Sequence, residues 1–181
     1  MNRKKLPIGI QTFQKIREAD YYYVDETAFA WKLSEEGIHY FLSRPRCFGK
    51  SLFLYTLGEL FAGNEPLFRG LDVHDRWDWS RRAPVIGLSL GGGVLRDRGE
   101  LDRRVRSLLR DNAKALGLAC SDPQDPAGCF AELIANAHAA TGERVVVRVD
   151  EYDKPIRETI TDWVEFRRER RSLVAFDVET L

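Results

Sequence analysis

The chain has 181 residues, 44% hydrophobic and 11% aromatic, with 28 Lys+Arg balanced by 28 Asp+Glu. That length and apolar content suit one folded domain with a sizeable core and exclude a disordered chain. Zero net charge gives nucleic acid no general purchase, and no apolar run is long enough to cross a bilayer.

No signal peptide is legible, and Cys47, Cys120 and Cys129 have no metal-ligand spacing. A sparse, odd set reads as reduced thiols, and the cytoplasm is the expected location. Residues 1–10 are basic and then apolar, broken by Pro7 and Gly9. A short helix is expected over residues 13–18. Tyr21-Tyr22-Tyr23-Val24 reads as a short strand or extended segment, its tyrosines used for packing rather than for stacking on bases. Asp25 is a good N-cap for a helix through Phe29, Trp31 and Leu33 that Gly37 stops.

Residues 39–43 form a short apolar run that reads as a strand. Arg44-Pro45-Arg46-Cys47-Phe48-Gly49-Lys50-Ser51 follows, then a helical pattern at Leu52, Phe53, Leu57, Leu60 and Phe61. Strand, loop, Gly-Lys-Ser and helix is how a P-loop binds phosphate. Backbone amides wrap the anion, the lysine reaches its outer oxygens and the serine hydroxyl sits on magnesium. The helix N-terminus adds unpaired N–H groups and the positive dipole end. One position departs from the pattern: Arg44 stands where the first glycine is usual, and Pro45 biases it towards extended backbone. Taken alone, the stretch is equally a strand, a turn and a helix with a solvated lysine.

Residues 63–82 are polar and turn-rich, with Trp77 and Trp79 read as lids over a small core. Residues 85–90 are a second buried-type strand, and Gly91-Gly92-Gly93 reads as its flexible exit. Leu101, Val105, Leu108, Leu109 and Leu116 recur at helical spacing. Asp125-Pro126 opens another helix, which buries Phe130, Leu133, Ile134 and Ala137 and ends at Gly142. Val145-Val146-Val147-Arg148-Val149 is the strongest strand, of a kind covered on both faces in a parallel sheet. The fold class expected is α/β: a P-loop NTPase-like parallel sheet flanked by helices.

Directly off that last strand come Asp150-Glu151-Tyr152-Asp153-Lys154-Pro155. A P-loop ATPase places an aspartate here to hold magnesium and a glutamate to polarise the attacking water. An isolated Asp-Glu at a strand end is usually a solvated loop. Paired with Gly49-Lys50-Ser51 it reads as the second half of a nucleotide site.

The combination resembles the AAA-ATPase-like family of bacterial and archaeal proteins, which often carry a PD-(D/E)XK nuclease-like domain further along. Five stretches carry the resemblance: Leu6-Pro7-Ile8-Gly9-Ile10 with Phe13, Tyr23-Val24-Asp25-Glu26-Thr27, residues 41–52, Trp77-Asp78-Trp79-Ser80, and residues 149–156. It covers residues 5–156. It implies ATP with Mg2+ as the cofactor pair, and it accounts for Arg44, since the family uses an arginine-rich loop. The phosphate site would then be Arg44, Arg46, Cys47, Phe48, Gly49, Lys50 and Ser51, with Ser51 and Asp150 on the metal and Glu151 as catalytic base. Cys47 stands where the family often has a second arginine.

Residues 157–181 form a charged tail, including Arg167-Arg168-Glu169-Arg170-Arg171, with no match to the family pattern. The expectation is therefore a domain incomplete at its C-terminal end, truncated before the sensor strand, lid and nuclease. Binding of ATP is the first expectation. Hydrolysis is left open, because ordering a water and a transition state takes more parts. The alternative is a non-catalytic interaction or regulatory module, the remnant of a larger ATPase-nuclease protein. It would dock on a protein partner, or on itself, through an exposed sheet edge. Neither a membrane nor nucleic acid is an expected partner, and no carboxylate cluster here supports a nuclease.

Overall fold

A computed structural model describes residues 4–37, 39–43, 48–93, 95 and 97–155. The first half is helical: α1 (Phe13–Glu18), α2 (Thr27–Glu36), α3 (Lys50–Phe61) and a 3-10 helix at Glu65–Phe68. The second half runs β1 (Val85–Ser89), α4 (Arg98–Leu116), α5 (Pro126–Thr141) and β2 (Val146–Asp150). The two strands pair in parallel, from Val85 opposite Val146 to Ser89 opposite Asp150. The molecule is therefore mixed α/β with a small parallel sheet. The larger sheet expected from the sequence is not seen among the described residues.

Two cores follow the two halves. Phe13, Ala30, Phe53, Leu60, Phe68 and Val73 form the first. Phe13 lies 4.9 Å, ring to ring, from Phe68 and 5.1 Å from Tyr23. Trp77 and Trp79 cover this core as expected, on Phe61 and Phe68. Trp79 Nε1 donates to the His74 carbonyl at 2.8 Å. The second core is Ile86, Leu109, Ala113, Cys129 and Leu133. Helix α3 leans on α1 with one side and on β2 with another, so it joins the two.

The caps explain the second-half boundaries. Asp97 accepts from the Glu100 amide, which starts α4 three residues before the first leucine of its stripe. Asp125 accepts from Ala127, Pro126 fills the first turn, and Gly142 closes α5 at φ 71°. Helix α4 also covers the outer edge of β1. The Asn112 amide donates to the Gly87 carbonyl at 2.9 Å, and its oxygen accepts from the Gly87 N–H at 2.8 Å. A side chain thus completes the ladder where a third strand would lie.

Four sequence expectations are corrected. Residues 39–43 are not a strand. An apolar run becomes one only by pairing, and among the described residues it pairs with neither β1 nor β2. Strand β2 is not covered on both faces: Val147 and Val149 are 38% and 41% exposed, while Arg148 turns towards α3. Cys120 and Cys129 are not reduced thiols but a disulfide with Cα atoms 5.1 Å apart, linking the segment after α4 to the first turn of α5. Gly91 and Gly93 are not a free strand exit, since Lys154 Nζ donates to both carbonyls at 2.5 and 2.6 Å.

Asp25 is not the N-cap of α2, a place that Glu26 takes, but it fastens the start of that helix. One carboxylate oxygen accepts from the Thr27 amide at 2.9 Å and hydroxyl at 2.6 Å; the other accepts from the Asp72 amide at 2.8 Å. It thereby pins α2 to the turn after the 3-10 helix. Partial burial works against its charge, but these hydrogen bonds outweigh it and hold the carboxyl below its ordinary range. Its folded pKa lies below the unfolded one. The stability it lends is complete above about pH 4 and is lost as pH falls through the folded value. Asp25→Asn is expected to flatten the acid limb of a urea-stability profile stepped down from neutral pH. A variant limb parallel to wild type would remove Asp25 from the acid response.

Candidate functional site

The described residues of the expected phosphate loop sit where a helix begins. Gly49 is the N-cap of α3 at φ 74°, ψ 15°, the left-handed region that glycine enters without strain. A Cβ added there would meet nothing within 4 Å, so backbone conformation alone asks for glycine. Lys50 and Ser51 are the first two residues of the helix. No side chain caps it, and its first turn carries no carboxylate. Glycine at the N-cap brings no capping side chain to its positive end, an arrangement suited to an anion. Phe48 is exposed beside it. Arg44, Arg46 and Cys47 lie outside the described residues, as do residues 157–181 of the charged tail.

Asp150 is the last residue of β2, opposite Ser89, and its carbonyl accepts from Leu90 N–H at 3.0 Å. Glu151 follows at φ 52°. Few non-glycine residues adopt that region. The next turn is fastened on two sides. The Tyr152 ring meets Phe41 edge-on at 5.7 Å, which brings the segment leading into the phosphate loop against the turn after β2. Lys154 clasps the glycine loop after β1. A Cβ on Gly91 would lie 2.9 Å from Glu151 Oε1, so glycine there lets the carboxylate lie against that loop.

Sequence reasoning passed over Phe41, Tyr152 and Lys154 as fasteners. Aromatic residues flanking both motifs were the available signal. The Phe41–Tyr152 contact brings the two motif regions side by side. Magnesium takes oxygen donors, which Ser51 and Asp150 both carry. Among the described residues no group of three or more His, Cys, Asp or Glu could hold a metal by itself. Ser51 and Asp150 would hold it together with phosphate oxygens, the usual manner for magnesium.

A small parallel α/β sheet with an uncapped Gly-Lys-Ser helix and an Asp-Glu strand end defines a candidate nucleotide-binding domain. The profile of a family described as predicted AAA-ATPase matches residues 7–176, and the chain belongs to that family. A protein from Azotobacter chroococcum mcd 1, described as an uncharacterized protein in vnfD 5'region, is 68% identical over 162 residues. The alignment covers 89% of this chain and 31% of that protein, so the chain spans under a third of its relative's length. No solved structure matches the chain. Among the described residues no helix is long and apolar enough to cross a membrane.

Proposed function

We propose that this chain binds ATP with magnesium at the start of α3. The observation that carries the reading is the left-handed Gly49 opening a helix whose first turn has neither a side-chain cap nor a carboxylate. Family membership supports it. In this reading the loop amides from residue 46 onward cradle the phosphates, and Lys50 binds their outer oxygens. Ser51 and Asp150 orient the metal. Arg44 or Arg46 adds positive charge at the loop, and Glu151 stands ready to take a proton from water. The metal itself would neutralise phosphate charge.

Titration with a fluorescent ATP analogue tests this. Lys50→Ala is expected to weaken binding by about 1.5–3 kcal/mol, the worth of a charge-assisted hydrogen bond. Equal affinities would overturn the assignment. The open side of β2, with Val147 and Val149 exposed, favours a second reading, a docking module without nucleotide. The same titration separates the two, because a docking module shows no affinity in either protein.

A further inference from the structure

Both strands end on the same side, Ser89 opposite Asp150, and that end of a parallel sheet is where such folds receive a ligand. Two segments leave this edge side by side: the glycine loop at residues 91–93 and the turn at residues 150–155. They are fastened to each other. The Leu90 N–H donates to the Asp150 carbonyl at 3.0 Å. Lys154 Nζ donates to the Gly91 and Gly93 carbonyls at 2.5 and 2.6 Å. The Glu151 carboxylate lies against Gly91, where an added Cβ would meet its Oε1 at 2.9 Å. The loop is in turn anchored by α4. Arg104 Nη2 donates to the Ser89 carbonyl at 2.9 Å, and a Cβ on Gly92 would come within 3.0 Å of the same atom.

Glu151 is exposed, so burial does not hold its side chain in place. Its φ of 52° is a conformation that persists in a non-glycine residue where the surroundings over-determine it. Part of that constraint lies within the turn. The Glu151 N–H donates to Asp150 Oδ1 at 3.0 Å, and its carbonyl accepts from the Lys154 N–H at 3.0 Å. These bonds shape the turn but do not set it on the loop. The Tyr152 ring meets Phe41, away from the glycines. Lys154 supplies the grip. It is half-buried, and its ammonium makes charge-assisted bonds to two carbonyls, one of them that of the glycine Glu151 lies against.

We propose that Lys154 is a positioning residue for Glu151. Its hold on the Gly91 and Gly93 carbonyls sets the turn on the glycine loop and so fixes where the Glu151 carboxylate stands. The consequence for catalysis rests on the ATP reading above, in which Glu151 takes a proton from water. An exposed glutamate left to itself samples many rotamers. One held against a loop that α4 anchors is preorganised for a single geometry.

Two measurements test this. The first needs no nucleotide: amide NMR of the loop glycines in wild type, Glu151→Gln, Lys154→Met and the double variant. In the wild-type background Glu151→Gln is expected to shift the Gly91 amide, because the side chain lies on it. In the Lys154→Met background the same change is expected to leave Gly91 unmoved. Equal shifts in both backgrounds would overturn the proposal. Should Lys154→Met not fold, the wild-type lysine ammonium spectrum decides, assigned with Lys154→Arg. Slow exchange at Lys154 supports the grip, and exchange like that of surface lysines overturns it. The second measurement is single-turnover phosphate release. Lys154→Met is expected to slow it about 100-fold, the cost of misplacing a reacting group by about 1 Å, with affinity for the ATP analogue unchanged. Added to Glu151→Gln, it is expected to slow release no further, as for residues that act as a unit. Further slowing, or a loss of affinity with release unchanged, would overturn the proposal. A wild type that binds no ATP would fail the nucleotide reading alone, because the Gly91 comparison still decides how Glu151 is held.

Discussion

Phe13→Ala is expected to destabilise the chain by about 3–5 kcal/mol, the usual cost of emptying a fully buried phenylalanine site. Phe13 is completely buried at the start of α1 and shares its core with Phe53 and Leu60 of α3. Tyr23 and Phe68 rest on its ring. None of these neighbours can fill the space without leaving its own place, since Phe68 also carries Trp79. The N-terminal segment therefore acts as one wall of α3. Urea unfolding of both proteins measures the effect. A loss below about 1 kcal/mol would mean that the wall collapses freely and does not support α3.

The sequence signals differed in kind, and so did their success. Helices α4 and α5 were legible because period, caps and stop residues agreed: the leucine stripe from Leu101 to Leu116, Asp125-Pro126, and Gly142. Strands β1 and β2 were legible from composition, each within one residue of its observed bounds. Residues 39–43 carried the same apolar signal but are unpaired with either strand, and pairing cannot be read from one segment. Arg148 was the lone charge in a valine run. Its inward course depends on Tyr55, Gly58 and Gly87, which lie far away in the chain. The same holds for Asp25, whose second bond reaches Asp72. The Cys120–Cys129 disulfide was hidden by an odd cysteine count. At the candidate site the sequence marked the start of a helix at Gly49-Lys50-Ser51 and the end of a strand at Asp150. The fasteners that bring the two halves together were not legible, because Phe41 meets Tyr152 only through the fold.

On the proposed reading, Glu151→Gln is expected to keep ATP binding and to slow phosphate release by about 100- to 10,000-fold, the range for losing a general base. The amide keeps the shape of the side chain but cannot accept the proton. The backbone lends weight to the choice of residue. Glu151 holds φ 52°, a conformation that costs a non-glycine residue about 1 kcal/mol or more and tends to persist at functional sites. Glu151→Gly should therefore gain stability of about that size while also losing turnover. A residue retained only for structure would not show that opposition. Asp150→Asn should instead weaken the magnesium dependence of binding, since its carboxylate would help hold the ion. All four proteins are compared by phosphate release under single-turnover conditions and by urea unfolding. Turnover in the glutamine variant equal to wild type would remove Glu151 from the chemistry. Wild-type ATP binding with no turnover at all would make this chain a nucleotide-binding module. The strained glutamate would then serve the contact with Gly91, and Glu151→Gly would be expected to loosen the glycine loop that Lys154 holds.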